Sequence, residues 1–147
     1  MKNILVAIDF TEANKSVLKY AKKMAKEFHS TITIIHSESI QLFLDSYEIN
    51  VMPSVEIIET QKKIIEDRLN QIEKEFDNEN IKVKTILLEG ATVKNILREA
   101  KKCEADLIIT GSHKHGRFYN LLIGSTTNSL IKNSSIPILI IPSTHDN

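Results

Sequence analysis

Short apolar runs alternate along this chain with longer stretches in which apolar residues recur every three or four positions. The first run, Asn3 to Ile8, is apolar from Ile4 onward and ends at Asp9. A continuous run of this length suits a strand buried on both faces of a parallel sheet. Thr11 then suits a helix N-cap, and Glu12 complements the positive end of the helix. Val17, Leu18, Ala21, Met24, Ala25 and Phe28 follow at helical spacing, with Lys15, Lys19, Lys22, Lys23 and Lys26 on a solvated face. Thr31 to Ser37, with Ile32, Ile34 and Ile35, predicts a second strand.

Residues 38–54 carry Ile40, Leu42, Phe43, Leu44 and Pro53 and fit either a lid or a short packed helix. Val55 to Phe76 is helical again, with Ile58, Ile65, Leu69, Ile72 and Phe76 on one face, and Asp77 to Asn80 is a polar turn. A third strand over Ile81 to Leu88 leads through Gly90 to a short helix marked by Val93, Ile96, Leu97 and Ala100. Ala105 to Thr110 predicts the fourth strand, Gly111 to Gly124 a loop, Ser125 to Lys132 a helix and Ile136 to Ile141 the last strand. This alternation predicts one α/β domain over residues 1–147, a doubly wound five-stranded parallel sheet with helices on both faces. Ligands of such sheets sit beyond the carboxyl ends of the strands, where the strand order reverses. Asp9, His36–Ser37 and the loop after Thr110 are therefore the places to search.

Composition narrows the function. Lys+Arg and Asp+Glu number 19 each, so the chain lacks the basic excess that nucleic acid or an anionic membrane requires. The one cysteine, Cys103, makes no internal disulfide and fits a reducing, cytoplasmic setting. Apolar runs are far too short to span a bilayer, and no signal-type N-terminus is expected.

Gly124–Ser125 opening a helix offers free N–H groups to an anion, with hydroxyls of Ser125 and Thr126 as further donors; an ordinary capped helix would read the same way. The loop is not a P-loop, because Arg117 and Phe118 follow Gly116 where Lys and Ser or Thr are needed. Asp9–Phe10–Thr11–Glu12 also replaces the glycine-rich turn of a dinucleotide fold. His36 and His113, ending the second and fourth strands beside Asp9, form a conceivable metal or acid–base set. One intervening strand, however, holds their backbones about 9–10 Å apart.

The stretch GSHKHGRFYNLLIGSTTNSLIKNSSIPILIIP, residues 111–142, resembles the C-terminal half of a universal stress protein. Nucleotide-binding members carry Gly, two residues, Gly, nine residues, then Gly with Ser or Thr; here these fall on Gly111, Lys114 in place of the middle glycine, and Gly124–Ser125. The start, ILVAIDFTEANKSVLKYA, is also similar and puts Asp9 where the family contacts adenosine. Ile35–His36–Ser37 matches the end of the family's second strand. The resemblance covers nearly the whole chain, most thinly between Glu38 and Ile81.

What the resemblance implies is a strand order of 3-2-1-4-5, a cytoplasmic homodimer and a role in stress survival. It implies ATP, with Mg²⁺ as a companion, held by Ala7, Asp9, Thr11 and Ser37 on the adenosine side. Thr110, Gly111, His113, Lys114, Gly124, Ser125, Thr126 and Thr127 would hold the phosphate side. Lys114 forgoes the close backbone approach of glycine but brings a charge that reaches phosphate. A slow ATP hydrolase or metal-assisted phosphoesterase is one alternative, and a nucleotide-free interaction protein is another. The apolar last strand, Ile136 to Ile141, contains Pro137, which places it at a sheet edge. Pairing with a second copy there would cover it.

Overall fold

The computed structural model describes residues 1–11, 13–38, 54–112 and 124–142. In chain order these form β1 (Asn3–Ile8), α1 (Ala13–Phe28), β2 (Thr31–Glu38), α2 (Val55–Asp77), β3 (Val83–Glu89), α3 (Thr92–Lys102), β4 (Leu107–Ser112), α4 (Ser125–Asn133) and β5 (Ile138–Pro142). The five strands make one parallel sheet in the order β3-β2-β1-β4-β5. The expected fold class and strand order are both observed.

The period-2 geometry of β1 divides the interior. Ile4, Val6 and Ile8 face one side with Val17, Ala21 and Ala25 of α1 and Leu69 and Phe76 of α2. Leu5 and Ala7 face the other with Ile96 and Ala100 of α3 and Leu130 of α4. Helices on both faces leave the central strand apolar from Ile4 to Ile8, which explains its unbroken hydrophobic run. Ala13, Val17, Ala21 and Ala25 recur at i+4 along α1 and are buried, so this helix lies close to the sheet. Phe28, read as part of the same face, is 46% exposed. The chain lays down β1, β2 and β3 outward and then crosses to β4, so the switch point falls between β1 and β4.

Four strands have boundaries that differ from the sequence reading, β2 by one residue, since it ends at Glu38. β4 begins at Leu107 and continues through Gly111 and Ser112, because β5 supplies Ile141 and Pro142 as partners in register. β3 begins at Val83, because the Ile81 N–H closes the end of α2 on the Phe76 carbonyl. β5 begins at Ile138 and not at Ile136; Pro137 precedes it and accepts the Ile108 N–H through its carbonyl. The edge position of β5 holds, while the proline inside it is Pro142. Gly90, between β3 and α3, has φ +98°, a conformation that glycine adopts without steric penalty. The alternatives weighed for residues 38–54 fall largely on residues 39–53, which lie outside the described residues.

Candidate functional site

Beyond the end of β1 the chain turns sharply at Asp9. Its Oδ1 accepts the Thr11 N–H at 3.1 Å and the Thr11 hydroxyl at 2.6 Å, an Asx-type turn. The Thr11 hydroxyl is thus directed at Asp9. Phe10, between them, has φ 59°, an uncommon state for a bulky side chain. The Asn14 amide is consistent with its surroundings when its nitrogen donates to Asp9 Oδ1 (3.1 Å) and its oxygen accepts the N–H groups of Phe10 and Thr11. Phe10 packs on His36 with ring centroids 4.7 Å apart, and the Arg68 guanidinium carbon lies 5.6 Å from the Phe10 centroid. His36 is itself buried and donates from Nδ1 to the Ile8 carbonyl at 3.0 Å. Its ring therefore braces the end of β1.

At the end of β2, the Ser37 carbonyl accepts the Thr92 hydroxyl at 3.3 Å, and the Ser37 Oγ accepts the Asn95 Nδ2 at 2.9 Å. On the other side of β1, Gly111 lies against α1: an added Cβ would sit 3.3 Å from both the Ala13 Cβ and the Val17 Cγ2. Its carbonyl accepts the hydroxyl of Thr127 at 3.2 Å. Gly124 is the N-cap of α4, and among the described residues no side chain caps this helix. The first-turn N–H groups of a helix have no partners within it.

These strand ends and helix starts enclose a cleft of about 420 Å³. Of the residues expected to bind ligand, Ala7, Asp9, Ser37, Thr110, Gly111, Gly124, Ser125, Thr126 and Thr127 line it. Thr11 is bonded to Asp9 but does not line the cleft. His113 and Lys114 lie outside the described residues. Sequence reading missed Ile8, Asn14, Thr92 and Ile96, which also line the cleft, and Asn95 behind Ser37. Asp9 is the one charged side chain among the described lining residues. Among the described residues no group of three or more His, Cys, Asp or Glu is placed to hold a metal ion. No described helix is long and apolar enough to cross a membrane.

The fold and the cleft define a doubly wound α/β protein with a cleft at the switch point, a carboxylate turn on one side and a helix start on the other. The family model described as the universal stress protein family matches residues 1–142. The chain belongs to that family. The stress response protein NhaX of Bacillus subtilis is 30% identical over 159 residues, covering 94% of this chain and 96% of its own. The solved structure of the hypothetical protein MJ0577 superposes with a TM-score of 0.80 at 26% identity, over 99% of this chain and 98% of its own. A universal stress protein of Archaeoglobus fulgidus in complex with dAMP has a TM-score of 0.65 at 20% identity, over 96% of this chain and 98% of its own. A solved universal stress protein in complex with cAMP has a TM-score of 0.68 at 16% identity, over 97% of this chain and 98% of its own.

Proposed function

We propose that this chain is an adenine-nucleotide-binding module of the cellular stress response, that its ligand is ATP, and that it works in the cytoplasm as a homodimer. The observation that carries the reading is the division of labour in the cleft. Asp9, Ser37 and the apolar Ile96 gather toward β1 and β2, where a nucleoside finds an acceptor, a hydroxyl and a wall. Gly111, Gly124, Ser125 and Thr126 gather toward β4 and α4, where the uncapped helix start suits an anion. Phosphate is thus met by backbone donors and hydroxyls, and the sequence adds a cation, Lys114, three residues after Gly111. The family members solved with dAMP and cAMP support an adenine ligand. Asp9 is the single carboxylate of the described lining, so Mg²⁺ enters as a companion of the phosphates.

The dimer rests on the sheet edges. The outer strand β5 runs Ile138–Leu139–Ile140–Ile141 with no charge, whereas the other edge, β3, carries Lys84 and Glu89. Charged residues guard an edge against pairing, and β5 lacks them.

Mass analysis of nucleotide released from freshly purified protein tests the ligand. An adenine nucleotide near one equivalent per chain is expected. Protein that releases none, and binds no ATP when it is added in excess, would overturn the proposal in favour of a nucleotide-free interaction protein.

A further inference from the structure

We infer that Asn95 fixes the hydroxyl of Ser37 as a hydrogen-bond donor toward the cleft, and that this donor reads a ring nitrogen of the bound base. The inference deepens the adenine-nucleotide reading and rests on it.

Asn95 is 5% exposed and sits in the first turn of α3. Its Nδ2 donates to the Ser37 Oγ at 2.9 Å and to the Glu89 carbonyl at 3.0 Å. A carbonyl can only accept, so the contact with Glu89 settles which end of the amide faces it. The nitrogen must point there, and its second proton then goes to Ser37. A serine hydroxyl either donates or accepts toward a given neighbour. With Asn95 as an obligatory donor, Ser37 accepts on that side, and its own proton turns elsewhere. Ser37 lines the cleft together with Ala7, Asp9 and Thr110. The backbone that carries it is held as well, because the Ser37 carbonyl accepts the Thr92 hydroxyl at 3.3 Å. Ile96, the next residue of α3, is part of the cleft wall. A flat base resting there meets a donor of set polarity, and adenine's ring nitrogens N1, N3 and N7 are all acceptors.

Asn95 therefore acts through Ser37 and is a positioning residue. Were it merely a structural link between the ends of β2 and β3, its loss would lower stability without changing which ring atoms matter.

The test measures adenosine and its 1-deaza, 3-deaza and 7-deaza analogues by calorimetry against wild type, Ser37→Ala, Ser37→Thr and Asn95→Asp. Wild type should bind one deaza analogue more weakly than the others, the one lacking the nitrogen that Ser37 reads. Ser37→Ala should bind adenosine roughly 3- to 10-fold more weakly, the worth of one neutral hydrogen bond, and leave affinity for that one analogue unchanged. Ser37→Thr keeps the hydroxyl and should keep the discrimination. Asn95→Asp turns the donor into an acceptor, claims the Ser37 proton and should abolish the discrimination. Equal affinity of wild type for all three analogues, or equal weakening of every ligand by Ser37→Ala, overturns the inference while leaving adenine binding intact. Retained discrimination in a folded Asn95→Asp protein overturns the role of Asn95. If Asn95→Asp does not fold, the Ser37 pair still decides whether the hydroxyl reads the base. A wild type that binds no adenosine and no ATP overturns the parent reading together with this one.

Discussion

Replacing Asp9 separates the turn from the ligand, because one substitution removes both carboxylate oxygens and the other removes only one. The Asp9 Oδ1 accepts the Thr11 N–H and hydroxyl at 3.1 and 2.6 Å, and the Asn14 amide reaches the same oxygen. Asp9→Ala removes all of these at once, next to a Phe10 held at φ 59°. Side-chain-to-backbone links of this kind are worth about 1 kcal/mol, up to about 2. At roughly 2–4 °C per kcal/mol for a chain of this size, Asp9→Ala should melt a few degrees lower. Asp9→Asn keeps one oxygen for the turn and replaces the other with a nitrogen that donates where the carboxylate accepts. Its melting temperature should stay close to wild type. A charge-assisted hydrogen bond to the ligand is worth about 1.5–3 kcal/mol, so Asp9→Asn should weaken adenosine and ATP alike by roughly 10- to 150-fold. Scanning fluorimetry reads the first effect and titration calorimetry the second. An Asp9→Asn protein that binds both ligands like wild type refutes the ligand contact, and an Asp9→Ala protein as stable as wild type refutes the turn.

Gly111→Ala places a Cβ 3.3 Å from side-chain atoms of Ala13 and Val17, whereas a Cβ at Gly124 meets nothing within 4 Å. Overpacking of this kind costs about 1–3 kcal/mol, so Gly111→Ala should lower the melting temperature well beyond Gly124→Ala. Glu79, bonded to Lys22 and Lys26 at 2.7 Å each, has its pKa held down to about 2 from 4.5. A carboxylate with a lowered folded-state pKa favours the fold above its unfolded value and loses that contribution as pH falls through the folded one. Glu79→Gln should therefore flatten the decline in melting temperature between pH 4.5 and about 2, and salt should shrink the difference from wild type, since these groups are solvent-accessible. Sedimentation should give a dimer mass; a folded monomer in dilute solution would remove β5 as a self-association edge.

Much of the sheet was legible because its strands announce themselves without tertiary context. Ile4 to Ile8 is apolar at every position since both faces of β1 are covered, and α1 shows its buried stripe directly. The errors lie where pairing overrides local chemistry. Gly111 and Ser112 read as loop residues, yet Ile141 and Pro142 give them partners and make them strand. Phe10 gave no warning of a left-handed backbone, which glycine or asparagine would have signalled. The glycine and hydroxyl residues at Gly124–Thr126 could be read from spacing. Asn14, Thr92 and Asn95 could not, because polar residues on a short amphipathic helix read as solvated until the neighbouring strand ends are known.

The missed Asn14, Thr92 and Asn95 share a position with Thr127, which the sequence did point to. Asn14 lies in the first turn of α1, Thr92 and Asn95 in the first turn of α3, and Thr127 in the first turn of α4. Each reaches back to a strand end that lines the cleft: Asn14 to the turn at Asp9, Thr92 and Asn95 to Ser37, Thr127 to the carbonyl of Gly111. Asn14, Asn95 and Thr127 are all less than 9% exposed, so their hydrogen bonds form where unmatched polar groups would be penalised. The ends of β1, β2 and β4 are each pinned to a helix on this pattern, and His36 adds a second brace to β1 through the Ile8 carbonyl. A left-handed Phe10 costs about 1–2 kcal/mol, and such a conformation persists only where the surroundings over-determine it. The Asx turn, the Asn14 amide and the contact with His36 supply that over-determination. Asp9, Ser37 and Gly111 are thereby set in place by the fold itself. On the proposed reading, a nucleotide entering this cleft would have little local ordering to offset.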